Sequence, residues 1–274
     1  MSKIQTGRNL PLATAIGLFL ILLVVDSLFI NKYAFIVLAL TALLLAAREI
    51  VTQWSKTKNV KASFPLVTLS ILAMTMSSVL YGSTGLIISF IGSILINMVY
   101  SFIARKQSSF KNIFGISLFA FSYLGIFGSL AMLMLRPDDG AGRVFLFIAI
   151  TALSDTGGYL TGILIGKHRI APSISPKKSY EGLVGSIIFA SLFASLIGPK
   201  LVEIQFSEGI LIGVVLAISG TAGDLFESSI KRKLGIKDFS SLIPGHGGMF
   251  DRLDSLAPNA LMSFLLFGLF LGFN

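Results

Sequence analysis

Residues 64–104 read FPLVTLSILAMTMSSVLYGSTGLIISFIGSILINMVYSFIA, forty-one positions without one Asp, Glu, Lys or Arg. No water-soluble domain keeps so long an uncharged, apolar run. Crossing the hydrocarbon of a bilayer takes about 20 apolar residues, so this segment is long enough to cross twice. Gly82-Ser83-Thr84-Gly85 has the composition of a turn and divides it into spans over 64–80 and 84–104.

The same texture continues on both sides. Apolar runs over 10–26, 33–47, 113–135, 143–166, 182–198, 209–227 and 256–273 bring the expected number of transmembrane helices to about nine. The chain is 54% hydrophobic and 13% charged, where soluble domains carry about 25% charge. The expected fold is therefore an all-α polytopic membrane protein, with residues 1–274 forming one integral membrane domain. The first run follows Lys3 and Arg8 as a signal peptide would. It exceeds the usual core of about 7–15 residues and no Ala-x-Ala site follows, so it reads as a retained helix.

A net charge of +9 suggests nucleic acid in a soluble protein. Here its distribution excludes nucleic acid and argues for topology. With a cytoplasmic N-terminus and nine crossings, the C-terminus is external. Eighteen of the 22 basic residues then lie inside, and only Lys32, Arg136, Arg143 and Lys200 outside. That is the positive-inside pattern, and it also suits anionic lipid headgroups. The polar segments 167–181 and 228–255 both fall on the cytoplasmic side, which is the expected active face. The absence of cysteine excludes disulfides and thiolate catalysis.

Residues 1–140 read mainly as scaffold helices with short polar links and no buried acid. The link 48–63 is expected along the cytoplasmic interface, with Trp54 at headgroup depth, and Pro137-Asp-Asp-Gly140 as an external turn. No internal repeat supports an inverted-repeat transporter. Residues 141–274 are the catalytic half, where polar residues enter the helices.

Asp155, about halfway along 143–166, is costly in hydrocarbon unless it faces a partner or a polar cavity. Gly157, Gly158 and Gly162 permit close helix approach or local unwinding around it. Pro172 and Pro176 forbid a regular helix over 167–181, and Lys177 and Lys178 suit phosphate as point charges. Asp224, Glu227, Ser228 and Lys231 recur at i, i+3, i+4 and i+7 on one helix face. The turn Pro244-Gly-His-Gly-Gly248 offers backbone N–H groups of the kind that cradle anions, and His246 there is a general base, a phosphate donor or a loop former. Asp224, Asp251 and Asp254 make three hard oxygen ligands of the type Mg²⁺ selects. Zinc is disfavoured by ligand type, with no Cys and only His168 and His246. Three carboxylates beside many cations describe phosphoryl or nucleotidyl transfer, without a P-loop or kinase catalytic loop.

At these residues the chain resembles the CDP-diacylglycerol synthase (phosphatidate cytidylyltransferase) family. The family signature S-x-[LIVMF]-K-R-x4-K-D-x-[GSA]-x2-[LIF]-[PG]-x-H-G-G-[LIVMF]-x-D-R-[LIVMFT]-D is met throughout. It takes in Ser228, Lys231, Arg232, Lys237, Asp238, His246, Gly247, Gly248, Asp251, Arg252 and Asp254. Upstream elements of the family resemble Asp155-x-x-Gly-Tyr159 and Ser175-Pro-Lys-Lys-Ser-x-Glu181, with Gly158 and Tyr180 where Ala and Trp are common. The resemblance covers residues 143–258 closely. It implies CTP and phosphatidate as substrates within the membrane lipid, CDP-diacylglycerol and pyrophosphate as products, and the bacterial inner membrane as location. It implies Asp224, Asp251 and Asp254 around Mg²⁺ and a K⁺ ion, with His246, Lys237 and Asp238 also catalytic. Ser175, Lys177, Lys178, Glu181, Lys231, Arg232, Gly247, Gly248, Arg252 and Asp155 are the implied substrate contacts, and a homodimer with a laterally open polar funnel the implied assembly. A CTP-dependent polyprenol-type lipid kinase and a cation-coupled transporter are the competing expectations.

Overall fold

A computed structural model describes residues 10–106, 108–243 and 247–273 of the chain, with side chains from residue 21 onward and at residue 19. Its helices are α1 (Leu10–Ile30), α2 (Lys32–Lys58), α3 (Phe64–Ile103), α4 (Phe110–Met134), α5 (Gly140–Ile165), α6 (Tyr180–Leu201), α7 (Phe206–Leu234), α8 (Phe250–Leu253) and α9 (Leu256–Leu271). Among the described residues, seven helices are long and apolar enough to cross a membrane, counting 64–106 as one. The protein is an all-helical polytopic membrane protein apart from one short ribbon.

α3 is bent back on itself at Gly82, whose φ of 68° and ψ of −151° break the helix. Ser77 Oγ donates to Ser89 Oγ at 2.9 Å and Asn97 Nδ2 to Ser70 Oγ at 2.9 Å. Residues at roughly matching distances on either side of the bend thus meet, so the two arms are antiparallel. A left-handed φ favours glycine, and the Arg136 guanidinium packs where a Cβ on Gly82 would lie. The turn composition read from the sequence is therefore a helical hairpin.

Where water is absent, backbone groups must be satisfied within the helix, and several ends carry caps. Asn31 Oδ1 accepts the Tyr33 amide at 3.0 Å, Ser179 Oγ accepts the Gly182 amide at 3.1 Å, and Gly235 closes α7 at φ 69°. The interior helices approach through small residues. Gly157 and Gly158 of α5 face Gly182, Gly185 and Ser186 of α6, and Gly209 and Gly213 of α7 face Ser195 and Ser191 of α6. Such contacts replace the hydrophobic drive that lipid removes.

Two expectations change. The segment 48–63 is not a link throughout: α2 continues to Lys58, and Trp54 packs on Phe119 and Phe239 with ring centroids 5.8 and 6.2 Å apart, while residues 55–59 are exposed. The acid in that segment, Glu49, is 7% exposed, so the scaffold half does bury a carboxylate. The second change lies over 167–181. Strands β1 (Arg169–Ala171) and β2 (Ser175–Ser179) form an antiparallel ribbon. Pro172 follows Ala171 in the connecting turn, closed by Ile174 N to Ala171 O at 3.1 Å, where proline is favoured. Pro176 is tolerated because each strand of a two-stranded ribbon has a free edge.

Candidate active site

The C-terminal half of α7 supplies the first part of the site. Ser228 Oγ donates to Asp224 Oδ1 at 3.2 Å, and Lys231 Nζ lies 2.6 Å from Glu227 Oε2. The start of α9 is drawn against this face by Gly223, where a Cβ would overlap the Asp254 carbonyl oxygen and the Pro258 ring. Asp224, Glu227 and Asp254 consequently each offer a carboxylate oxygen within 4.8 Å of the others. Glu227 is fully buried; Lys231 Nζ lies against its Oε2, and its Oε1 has no hydrogen-bond partner among the described residues. Asp224, Glu227, Asp254 and the adjoining Asp251 are four carboxylates against the two ammonium groups in contact with them, Lys178 and Lys231, an excess that suits a further cation.

The trio expected from the sequence contained Asp251 instead of Glu227. Asp254 and Ser255 keep helical φ/ψ, so α8 runs on towards α9. Yet the Asp251 carboxylate is already engaged. Its Oδ1 lies 3.0 Å from Lys231 Nζ, and its Oδ2 accepts the amides of Phe239 at 2.9 Å and Gly248 at 2.8 Å. Lys231 therefore bridges Asp251 to Glu227, and Asp251 stands beside the carboxylate trio.

The glycine turn also differs from expectation. Its backbone donors were expected to hold a substrate anion. The Gly248 amide instead holds Asp251, and the next two amides, Met249 and Phe250, hold Glu49 at 2.9 and 2.8 Å. Carboxylates of the chain itself thus take the amides of residues 248–250. A Cβ on Gly248 would meet both Glu49 and Asp251, which explains glycine there. His246, with Pro244 and Gly245, lies outside the described residues.

One cavity of about 380 Å³ gathers most of the site residues expected from the sequence. Asp155, Ser175, Lys177, Lys178, Asp224, Lys231, Asp238, Asp251, Arg252 and Asp254 all line it, together with Tyr159 and Leu183. This volume is within the range of about 300–1,000 Å³ for ligand sites. Lys178 reaches in from the ribbon to place Nζ 2.6 Å from Asp224 Oδ2.

Glu181 and Arg232, expected as substrate contacts, are engaged in holding the ribbon. The Glu181 carboxylate accepts the amides of Lys167 at 3.1 Å and His168 at 3.2 Å and lies 2.6 Å from His168 Nδ1. Arg232 Nε donates to Ile174 O at 3.2 Å. Lys237 and Gly247, like Gly248, are outside the described cavity lining.

Glu49 was missed because it follows an apolar run and reads as a link. Ala46, Glu49, Ile50 and Gln53 nevertheless have the i, i+3, i+4, i+7 spacing of one helix face, and that period was available as a signal.

A model of the cytidylyltransferase family matches residues 12–270. The chain belongs to the cytidylyltransferase family. A phosphatidate cytidylyltransferase of Mycobacterium leprae is 32% identical over 277 aligned residues, which cover 96% of this chain and 88% of the relative. One from Thermotoga maritima is 32% identical over 253 residues, 87% of this chain and 89% of the relative. Another, from Staphylococcus aureus, is 37% identical over 169 residues, covering 61% and 64%. Membership extends through the first half of the chain, well beyond the stretch that carries the signature.

Proposed function

We propose that this protein transfers the cytidylyl group of CTP to phosphatidate, forming CDP-diacylglycerol and pyrophosphate in phospholipid biosynthesis. The observation that carries the reading is the joining of three carboxylates and the cavity's lysines at one end of a membrane bundle. A phosphate oxygen of phosphatidate forms a bond to the α-phosphorus of CTP. The bond from that phosphorus to the bridging oxygen breaks, and pyrophosphate leaves with the electron pair. A phosphate nucleophile already ionised at neutral pH gives up no proton in this step.

The chain's contribution is placement and charge. Lys177, Lys178 and Arg252 line the cavity and suit the phosphate oxygens, Arg252 as a fork and the lysines as point charges. Fixing donor and acceptor in line supplies a large share of the rate. Tyr159 and Leu183 give the same cavity an apolar wall, suited to the glycerol and first acyl carbons of a lipid. Asp224, Glu227 and Asp254 fit Mg²⁺ as hard oxygen donors, and the excess of carboxylates over the two lysines that contact them supports that choice over a purely structural cluster. When bound, the divalent ion would neutralise polyphosphate charge as a Lewis acid. The K⁺ implied by the family resemblance belongs to this reading.

The same reading includes nine crossings, counted as the seven long helices, the second arm of α3 and α1. It places the cavity at the cytoplasmic face of a bacterial inner membrane, which the charge asymmetry supports, and takes the protein as the homodimer the resemblance implies. Purified protein incubated with CTP labelled in its cytosine, phosphatidate and Mg²⁺ should move label into the lipid phase and release pyrophosphate. Chelation of divalent ions should stop this reversibly. Production of CDP and a phosphorylated alcohol would indicate a lipid kinase, and ion flux without nucleotide a transporter.

Lys178→Ala removes a cation that either reaches phosphate or holds Asp224. It should raise the apparent KM for CTP about tenfold or more, the scale of a charge-assisted contact of roughly 1.5–3 kcal/mol. Unchanged kinetics would remove Lys178 from the substrate site.

A further inference from the structure

Glu49 lies on α2, about two hundred residues from the loop it touches. It is 7% exposed, and its carboxylate receives three donors from that loop. Oε1 accepts Ser240 Oγ at 2.6 Å and the Met249 amide at 2.9 Å, and Oε2 accepts the Phe250 amide at 2.8 Å. One turn further along α2, Gln53 Nε2 donates to Phe239 O. The helix therefore grips the loop on both sides of the turn, at 239–240 and at 249–250. No Lys or Arg pairs with Glu49 among the described residues.

These donors are adjacent in the chain to the groups that fix Asp251. The neighbouring amides of Phe239 and Gly248 are the two that hold Asp251 Oδ2. Asp251 in turn holds Lys231, and Lys231 approaches Glu227 at 2.6 Å. A continuous line of contacts thus runs from Glu49 through the loop backbone and Asp251 to the carboxylate trio. Buried networks of this kind are rigid when every member is satisfied. Groups that orient metal or substrate ligands contribute strongly without touching substrate.

We propose that Glu49 is a positioning residue for cytidylyl transfer, a fixed anion in the scaffold half that sets the placement of Asp251 and of the Lys231 bridge. Its carboxylate is matched to the site because all three partners are donors. A glutamine would turn an N–H₂ group towards one of them, so Glu49→Gln keeps the volume and breaks the pattern. The proposal rests on the cytidylyl-transfer reading for its activity readout, and a binding readout separates the two.

The test uses the full chain in detergent or nanodiscs. Glu49→Gln should lower kcat about 10–100-fold while KM for CTP stays within about threefold. It should also weaken binding of Mn²⁺, used as a spectroscopic probe for the divalent site, by a similar factor. Glu49→Asp, which retains an acceptor-only group, should recover part of both. Leu146→Ala, a core truncation on α5 in a separate packing cluster, controls for general loss of stability. The proposal is overturned if Glu49→Gln keeps full kcat and Mn²⁺ affinity. It is equally overturned if Leu146→Ala, matched to it in thermal stability, loses as much of each. Should wild type bind Mn²⁺ and lose that binding in Glu49→Gln, yet transfer no label from CTP, the positioning role stands and the assigned reaction fails.

Discussion

Glu227→Gln is expected to reduce cytidylyl transfer by about 10²–10³-fold, the scale for removing one preorganised electrostatic group from a water-poor site. Asp224→Asn and Asp254→Asn should match it, since the three carboxylates lie within 4.8 Å of one another. Asp251→Asn should cost less, about 10–100-fold, because that side chain acts through Lys231 and two backbone amides as an orienting group. Each variant should still insert and melt as a folded membrane protein. The ranking is the informative part. A nearly active Glu227→Gln beside a dead Asp251→Asn would restore the ligand set expected from spacing alone and discard the one drawn from geometry. Steady-state kinetics and Mn²⁺ titration of the four proteins decide it.

Lys231→Met should be the most damaging change to stability. Lys231 lies 2.6 Å from Glu227 and 3.0 Å from Asp251, and those two carboxylates are 0% and 3% exposed at the side chain. Removing one partner of a buried ionic pair costs about 3–5 kcal/mol because the remaining charge has no counterpart. Here two carboxylates are left. Thermal unfolding in detergent should show a loss of that order, and adding Glu227→Gln should return part of it by removing one orphaned charge. A Lys231→Met protein as stable as the parent would show that water or solution cations already serve those carboxylates.

Much of the fold was legible because lipid simplifies the reading. A span must be apolar over a length set by the bilayer, so the runs 113–135 and 143–166 match α4 and α5 closely, and 209–227 falls within α7. The hairpin in α3 was legible for a different reason. Only a glycine adopts the φ of 68° at residue 82 without strain, and Gly82-Ser-Thr-Gly85 announces it. The end of α2 was less readable, since Arg48, Glu49 and Gln53 suggest a polar link to any composition argument. Their helical continuation depends on Phe239 and Phe250 arriving from the far end of the chain to cover Trp54 and Phe119.

Residue type and spacing alone determined the membrane class, the uneven distribution of basic residues and the acids and bases at which chemistry gathers. Those properties follow from transfer between water and lipid, which acts on each segment separately. The tertiary structure decided which carboxylates meet. Asp251 and Asp254 share one face of a helical wheel, but only Asp254 lies close to both Asp224 and Glu227, because Asp251 is held by the amides of Phe239 and Gly248 in the loop that leads into α8. Glu49 joined the site for the same reason. Pairing among acids is set by which donors surround each one after folding, and that depends on contacts between distant segments that no local pattern encodes.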